Sequence, residues 1–168
     1  MRVFHGSPRS PWQSLFPTLT DTEIEAFLED VQEETVIAGH THLSMDRQCS
    51  RRHFLNPGSV GMPLDGLPTA SYMILEGDEH GWRAVLRRIP FLFEPIFQEF
   101  QRIGFVEECG VVGQLIVDAF KTPRPGSGFF HWKETHFPEA QFTWDLYHEY
   151  SAQCQWWEYC EPVYRNYP

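Results

Sequence analysis

The sequence lacks three features that would assign the protein to well-defined functional classes. Its Lys and Arg residues cluster at most in pairs and its net charge is −10, so binding of DNA or RNA through phosphate contacts is not expected. No apolar run approaches the roughly 20 residues of a membrane span, and no N-terminal signal peptide is visible. We therefore expect a cytoplasmic protein that does not bind membranes.

Closely spaced cysteine pairs are also absent. The four cysteines are Cys49, Cys109, Cys154 and Cys160, and none forms a Cys-x-x-Cys motif. A zinc knuckle or a thioredoxin-type redox site is therefore not indicated. Reduced thiols in a cytosolic protein are the expected state.

What the sequence does contain is a strand–helix–strand pattern in its first 38 residues. Residues 2–4 are typical of a short strand, and Thr20 and Glu23 fit a capping box at the start of an amphipathic helix. The continuous apolar run at residues 35–38 is typical of a buried strand. This order predicts a right-handed crossover in a parallel sheet, and hence an α/β fold.

The rest of the chain predicts further strands, two helices and a tail. Strands are predicted at residues 52–55, 71–76 and 82–89. Two helices are predicted after them: one has Pro95 in its first turn and ends at Gly104, and the second runs through residues 112–119. A Pro- and Gly-rich linker is predicted at residues 121–128. It divides the chain into a first domain, residues 1–120, and an extension, residues 129–168.

The extension is rich in aromatic residues, with 13 of the 26 in the chain. Five of its side chains could form one face of a helix: Leu146, Tyr147, Tyr150, Cys154 and Trp157. The extension is expected either to pack on the body or a second subunit, or to serve as a lid or partner surface.

Two histidines close to the end of a predicted strand are candidate metal ligands. Gly39 is followed by His40 and His42, and in an extended chain both imidazoles would project to one face, with Thr41 on the other. Such a pair can serve two metal ions about 3.5–4 Å apart. His5, after the first strand, is a third candidate. The alternatives are an ordinary strand-end histidine at position 5 and exposed loop histidines at 40 and 42.

Three short segments in this order resemble a known family: His-Gly-Ser-Pro at residues 5–8, Gly-His-Thr-His at 39–42, and Asn-Pro-Gly-Ser-Val-Gly at 56–61. Together they resemble the calcineurin-like metallophosphoesterases, in particular the YfcE-type phosphodiesterases. The resemblance implies an α/β (α+β) sandwich of mixed β-sheets flanked by helices. It also implies hydrolysis of small phosphate mono- or diesters with two divalent metal ions, Mn²⁺ first, with Fe, Ni or Zn as alternatives.

Carried onto this sequence, the resemblance implies that His5 and His40 ligate one metal and that His42 ligates its neighbour. The segment at residues 56–61 would lie near the rim of the active site. Asn56 and Ser59 are given no catalytic role, because a structural turn accounts for them. No catalytic residue is assigned.

The chain departs from the family in one respect. The family's Asp-x-His, Gly-Asp and Gly-Asn-His motifs, which supply the carboxylate ligands, are not found, and the imitation at Asp78-Glu79-His80 falls in a predicted hairpin turn. We therefore expect the C-terminal part of a metallophosphoesterase fold, with an open edge in its first sheet, weak binding of a single metal and little turnover.

Two hypotheses explain this departure. The chain could dock a separate N-terminal half or form a homo-oligomer that completes the site. Alternatively, it could be a remnant or a non-catalytic interaction module on the same half-fold, with the aromatic extension covering the exposed surface.

Overall fold

The protein is described by a computed structural model that covers residues 1–166 and divides into two compact units. Unit 1 consists of Met1–Pro63 and Thr69–Pro90, and unit 2 of Leu64–Pro68 and Phe91–Pro168. This division differs from the predicted boundaries at residues 120 and 129, which remain a prediction. The last two residues of the predicted extension lie outside the described part of the chain.

Unit 1 contains one helix and two sheets. Its elements are β1 (Arg2–Val3), α1 (Asp21–Phe27), β2 (Thr35–Ile37), β3 (Ser44–Cys49), β4 (Arg52–Pro57), β5 (Thr69–Asp78) and β6 (Gly81–Pro90). The first sheet has the order β1-β2-β4-β3, in which β1, β2 and β4 are parallel and β3 is antiparallel. β5 and β6 form an antiparallel hairpin. The predicted parallel pairing of the first two strands and the mixed α/β fold class are confirmed.

Helix α1 forms because its first turn is capped and one of its faces is apolar. The Thr20 hydroxyl accepts the backbone N–H of Glu23, and the Glu23 carboxylate accepts the backbone N–H of Thr20, which is the predicted capping box. Ile24 and Leu28 are fully buried. They join β2 and β4 residues in the core of unit 1, whose buried members are Leu15, Ile24, Leu28, Val31, Val36, Ala38, Met45, Cys49 and Phe54.

A buried arginine holds the segment that leads from α1 into β2. Arg52, at the start of β4, is 1% exposed. Its guanidinium donates to the backbone carbonyls of Leu28, Val31 and Glu33 at 2.6–3.0 Å, and its Nε donates to Glu25 at 3.0 Å. One planar side chain thereby bonds to three carbonyls, of which the Leu28 carbonyl also accepts the Val31 N–H.

Strand β3 was not predicted from the sequence. Its residues Ser-Met-Asp-Arg-Gln-Cys are mostly polar and contain no β-branched side chain. It is a strand because it pairs over its whole length with β4, from Ser44 opposite Pro57 to Cys49 opposite Arg52. This pairing is tertiary in origin, which explains why local propensity did not reveal it.

Unit 2 is helical. Its elements are α2 (Glu94–Arg102), α3 (Phe105–Lys121), α4 (Ser127–His136), α5 (Trp144–Gln153) and α6 (Pro162–Asn166). The two predicted helices correspond to α2 and α3, and Gly104 separates them at a φ of 66°. Helix α3 is longer than predicted and is kinked at Gly110, whose φ is 60°. None of the helices within residues 1–166 is long and apolar enough to cross a lipid bilayer.

The aromatic extension is folded, but not as the sequence predicted. Phe129, Trp132 and Tyr150 are buried together with Val111 and Leu115 of α3. The prediction of a single helical face through residues 146–157 is wrong, because α5 ends at Gln153 and Cys154 is extended. The predicted linker is also shorter, since α3 includes Lys121 and α4 begins at Ser127. Residues beyond α5 also pack on this cluster, among them Cys154 and Tyr159.

Candidate functional site

The candidate site lies at the carboxyl ends of two parallel strands. The hydrogen bonds between β1 and β2 continue for two residues past each strand, since Phe4 N–H donates to the Ile37 carbonyl at 2.9 Å and Gly39 N–H donates to the His5 carbonyl at 2.8 Å. His5 and the loop that contains His40 therefore leave the sheet side by side. In open parallel sheets this edge is where ligands commonly bind.

The chain after His5 folds into a tight loop over a glycine. A Cβ atom on Gly6 would lie 2.6 Å from the Pro11 carbonyl oxygen and 2.8 Å from that of Gln13, so only glycine fits. The Ser7 hydroxyl accepts the backbone N–H groups of Arg9 and Ser10, both at 3.1 Å. This loop fixes the direction in which the backbone leaves His5, while the imidazole itself is exposed.

The segment at residues 40–42 is not extended, contrary to the prediction. His40 and His42 have φ angles of 64° and 59°, in the left-handed region, and neither belongs to a strand. Non-glycine residues rarely adopt this conformation, although His does so more often than most. The prediction of an extended chain failed because the loop is held by tertiary hydrogen bonds that the local sequence does not reveal. The prediction that Thr41 points away from the histidines agrees with its burial, since it is 1% exposed.

The structure nevertheless brings two of the three predicted histidines into direct contact. His5 Nε2 lies 3.2 Å from His40 Nδ1, and the ring centroids are 5.1 Å apart in an edge-to-face arrangement. Two neutral imidazoles can share a hydrogen bond at this distance, in which one ring nitrogen donates to the other. They can equally well hold the same ion between them.

His42 is half-buried and is oriented by a backbone group. Its Nδ1–H donates to the Met62 carbonyl at 2.6 Å, because a carbonyl oxygen can only accept. Burial lowers the pKa of His42, and the nearby His40 and His5 lower it further, against the effect of the Met62 hydrogen bond. The neutral tautomer that results has its Nε2 lone pair available, which is the usual arrangement of a metal-binding histidine.

The distances allow a test of whether a metal ion would fit. Two imidazole nitrogens bound to one Zn²⁺ at about 2.0–2.1 Å in tetrahedral geometry lie about 3.3 Å apart, close to the 3.2 Å between His5 and His40. Within residues 1–166, however, no group of three or more His, Cys, Asp or Glu side chains is arranged to hold a metal ion. The histidines thus fit part of a coordination shell and do not complete it. No catalytic step can be derived through a metal from these residues.

The sequence does not reveal that two buried residues support this loop. Asn56 and Thr41 are both buried, and the Asn56 side chain donates to the Thr41 hydroxyl at 3.1 Å. The sequence predicts a turn at Asn56, and the positive φ of 78° at Gly58 agrees with that prediction. A polar residue at the end of the buried stretch Phe54-Leu55 is the signal that could have revealed a second role.

The other five histidines lie in other settings, and of these His148 stacks on Trp144. His53 Nε2 lies 2.7 Å from Asp46 Oδ1 across β3 and β4. His80 is exposed in the β5–β6 turn. The segment Asp78-Glu79-His80, which imitates the Asp-x-His motif, therefore lies at a hairpin turn, as the sequence predicts. His131 and His136 are bonded to backbone carbonyls of Tyr159 and Trp132. None of these contacts includes the histidines of the candidate site.

The first part of the chain is similar in sequence to known proteins. Residues 1–80 match the sequence profile of the calcineurin-like phosphoesterase superfamily domain. An uncharacterized protein of Methanocaldococcus jannaschii is 24% identical over 125 residues, which are 63% of this chain and 47% of that protein. The chain thus spans about half the length of the curated relative that it matches.

Two solved structures share the fold. A metallophosphoesterase from Sphaerobacter thermophilus superposes with a TM-score of 0.55 at 23% identity, over 71% of this chain and 53% of that chain. A hypothetical protein from Pyrococcus horikoshii gives a TM-score of 0.57 at 17% identity, over 74% of this chain and 45% of that chain. The chain therefore shares its fold with about half of each of these two structures, and its residues 1–80 are similar to the calcineurin-like phosphoesterase superfamily domain.

Proposed function

We propose that this chain forms the histidine side of a metal-dependent phosphoester hydrolase centre, with the other ligands supplied from outside residues 1–166. The observation that supports this proposal most directly is the 3.2 Å separation of His5 Nε2 and His40 Nδ1 at the carboxyl edge of a parallel sheet. His5 and His40 would hold one divalent ion, and His42 would offer its Nε2 to a second. Bound divalent ions would neutralise phosphoryl oxygens and activate water.

The histidines of this chain would hold the metal ions in place and would not transfer protons. Burial keeps His42 in its neutral form, and the Met62 carbonyl fixes its tautomer. Mn²⁺ is the first choice of metal, with Fe, Ni or Zn as alternatives, because imidazole suits all of them when carboxylates complete the shell. The substrate would be a small phosphate mono- or diester, and the YfcE-type phosphodiesterases remain the subfamily we propose. We place the protein in the cytoplasm.

Metal binding tests the proposed histidine site. Titration of the purified chain with Co²⁺, followed by visible absorbance, is expected to show one weak site. His5→Ala and His40→Ala should each weaken it by about tenfold or more, the scale on which even supporting residues act. His80→Ala, an exposed histidine in the β5–β6 turn, is the matched control and should leave binding unchanged. Equal binding by all four proteins would contradict the proposed site.

Turnover tests whether the site is complete. With bis(p-nitrophenyl) phosphate and Mn²⁺ the chain alone should show little hydrolysis, because no carboxylate is grouped with the histidines in residues 1–166. Robust metal-dependent turnover that His40→Ala abolishes would show instead that the site is complete. Addition of a polypeptide that carries the Asp-x-His, Gly-Asp and Gly-Asn-His motifs should restore activity if a separate half completes the centre.

A second candidate function is that of a non-catalytic interaction module. It is favoured by the β5–β6 hairpin, in which Ile74, Leu86 and Ile89 are 39–50% exposed. A two-stranded sheet with apolar residues exposed in this way is a common site of association. Light scattering across a concentration series would detect a homo-oligomer. Association without metal binding would favour this function over the hydrolase.

A further inference from the structure

The amide of Asn56 is completely buried and uses both its ends. The residue is 0% exposed on β4. Its Nδ2 donates to the Gly39 carbonyl at 3.0 Å and to the Thr41 hydroxyl at 3.1 Å. Its Oδ1 accepts the backbone N–H of Gly58 at 2.9 Å. The amide nitrogen therefore bonds to the residue before His40 and to the residue between His40 and His42. The amide oxygen holds the turn at the end of β4.

This loop requires support because it contains two strained residues. His40 and His42 have positive φ angles, and the buried Thr41 stands between them. Isolated left-handed conformations at non-glycine residues persist when the surrounding structure holds them, and they concentrate at functional sites. Within the loop, Thr41 N–H donates to the Gly39 carbonyl at 2.7 Å and Leu43 N–H donates to the Thr41 hydroxyl at 3.3 Å. From elsewhere in the fold, Gly39 N–H donates to the His5 carbonyl and His42 Nδ1–H to the Met62 carbonyl, while Asn56 bonds to Gly39 and to the buried Thr41 between the histidines.

A role in the turn alone does not explain these contacts. The turn at residues 56–58 uses only the Oδ1 of Asn56, which an aspartate or serine could replace. The Nδ2 bonds instead reach residues 17 and 15 positions earlier in the chain. Asn56 therefore links the end of β4 to the histidine loop, which leaves the neighbouring strand β2.

We propose that Asn56 is a positioning residue that holds the loop at residues 39–42 in the conformation that presents His40 to His5 and leaves Nε2 of His42 open. Thr41 is its partner, because the Thr41 hydroxyl accepts from Asn56 and from Leu43. The positioning itself requires no metal. Its consequence for metal binding rests on the function proposed above.

The experiment uses the full chain without metal. Backbone NMR couplings report φ at His40 and His42 in the wild type, Asn56→Ala, Thr41→Val and Thr41→Ser. Thr41→Val keeps the shape of the side chain and removes the acceptor, while Thr41→Ser keeps the acceptor. Ile24→Val is the control, since it weakens the core of unit 1 away from the loop. Thr41→Val provides the test should Asn56→Ala fail to fold.

We expect Asn56→Ala and Thr41→Val to lose the positive-φ couplings at both histidines, with Thr41→Ser and Ile24→Val retaining them. Wild-type couplings in both Asn56→Ala and Thr41→Val, or in Thr41→Val when Asn56→Ala does not fold, would overturn the proposal. Loss of the couplings in Ile24→Val would also overturn it, because any weakening of the core would then have the same effect.

A Co²⁺ titration of the same proteins separates this inference from the proposed function. Asn56→Ala and Thr41→Val are expected to bind Co²⁺ about tenfold or more weakly than the wild type, in line with other residues that orient ligands. If the couplings change but the wild type binds no Co²⁺, the positioning role is supported and the proposed hydrolase centre fails. If Co²⁺ binds all variants equally and the couplings are unchanged, the positioning role fails alone.

Discussion

His5 Nε2 lies 3.2 Å from His40 Nδ1, although the two residues are 35 positions apart in the sequence. The contact exists because β1 and β2 pair in parallel, Arg2 opposite Val36 and Val3 opposite Ile37, and the ladder continues past both strands. Parallel strands end at the same edge of a sheet, so the residues that follow them meet there. The sheet thereby assembles a two-histidine group from distant parts of the sequence.

Position 40 should favour glycine over alanine. Both His40→Gly and His40→Ala remove the imidazole, so their difference isolates the backbone at φ 64°. We expect the glycine variant to be more stable by about 1 kcal/mol in urea unfolding, because a Cβ atom disfavours the left-handed region. At Ala26, exposed in α1, replacement by glycine should have the opposite sign and cost about 0.5–1 kcal/mol. Equal stability of the two variants at position 40 would contradict the proposed backbone strain at His40.

Arg52 should be among the most important residues for the stability of unit 1. Arg52→Met removes the guanidinium donor from the Val31 and Glu33 carbonyls and from Glu25, and is expected to cost about 3–5 kcal/mol. Its neighbour Arg51 is exposed, and Arg51→Met should change the free energy of unfolding by less than about 0.5 kcal/mol. Chemical denaturation measures both, and a small loss for Arg52→Met would contradict the assigned role.

The capping box should contribute to the stability of α1. Thr20→Ala removes the acceptor for Glu23 N–H and is expected to cost about 1 kcal/mol. Thr20→Ser keeps the hydroxyl and should be close to neutral. Thr22 is exposed inside the same helix, and Thr22→Ala is expected to be neutral or slightly stabilising. Thermal unfolding of the three variants tests the prediction, and the same melting temperature for Thr20→Ala and the wild type would contradict it.

Unit 2 should lose stability in alkaline solution. Burial and the hydrogen bond to Asp118 raise the pKa of Tyr147 from 10.0 to about 12, and burial raises the pKa of Tyr150 to about 12. The folded state keeps protons that the unfolded state releases, so the contribution is complete below pH 10 and is lost as the pH rises towards 12. Stability should therefore fall across this range.

The measurement is denaturation at a series of pH values, with tyrosinate absorbance recorded in parallel. Tyr147→Phe should reduce the slope, and Asp118→Asn should lower the pKa of Tyr147, since the Asp118 carboxylate opposes its ionisation. A slope that is unchanged in Tyr147→Phe would contradict the assignment.

Several elements were predictable because their causes are local. The capping box at Thr20, the apolar run of β2 and the hairpin of β5 and β6 all follow from side chains a few residues apart. The positive φ at Gly58 and Gly104 follows from glycine itself. The three candidate histidines were also identified from sequence, and their role as metal ligands remains a prediction.

Other elements depend on contacts between distant residues. β3 exists because β4 supplies its hydrogen-bonding partner, and the aromatic cluster around Phe129 and Trp132 joins residues of α3, α4 and α5. The histidine loop was predicted to be extended, and it is not, because Asn56 holds it from another strand. Burial of an asparagine amide is a property of the folded chain that local pattern does not contain.

By itself the sequence determined the α/β class, the first helix and the residues that form the candidate site, since capping, apolar periodicity and short motifs act over a few positions. Only the tertiary structure decided how the histidines are arranged. Parallel pairing of β1 and β2 brings His5 to His40, and the buried amide of Asn56 sets the loop that carries His40 and His42. Strand pairing and buried hydrogen bonds join residues far apart in sequence, so their geometry exists only in the folded chain.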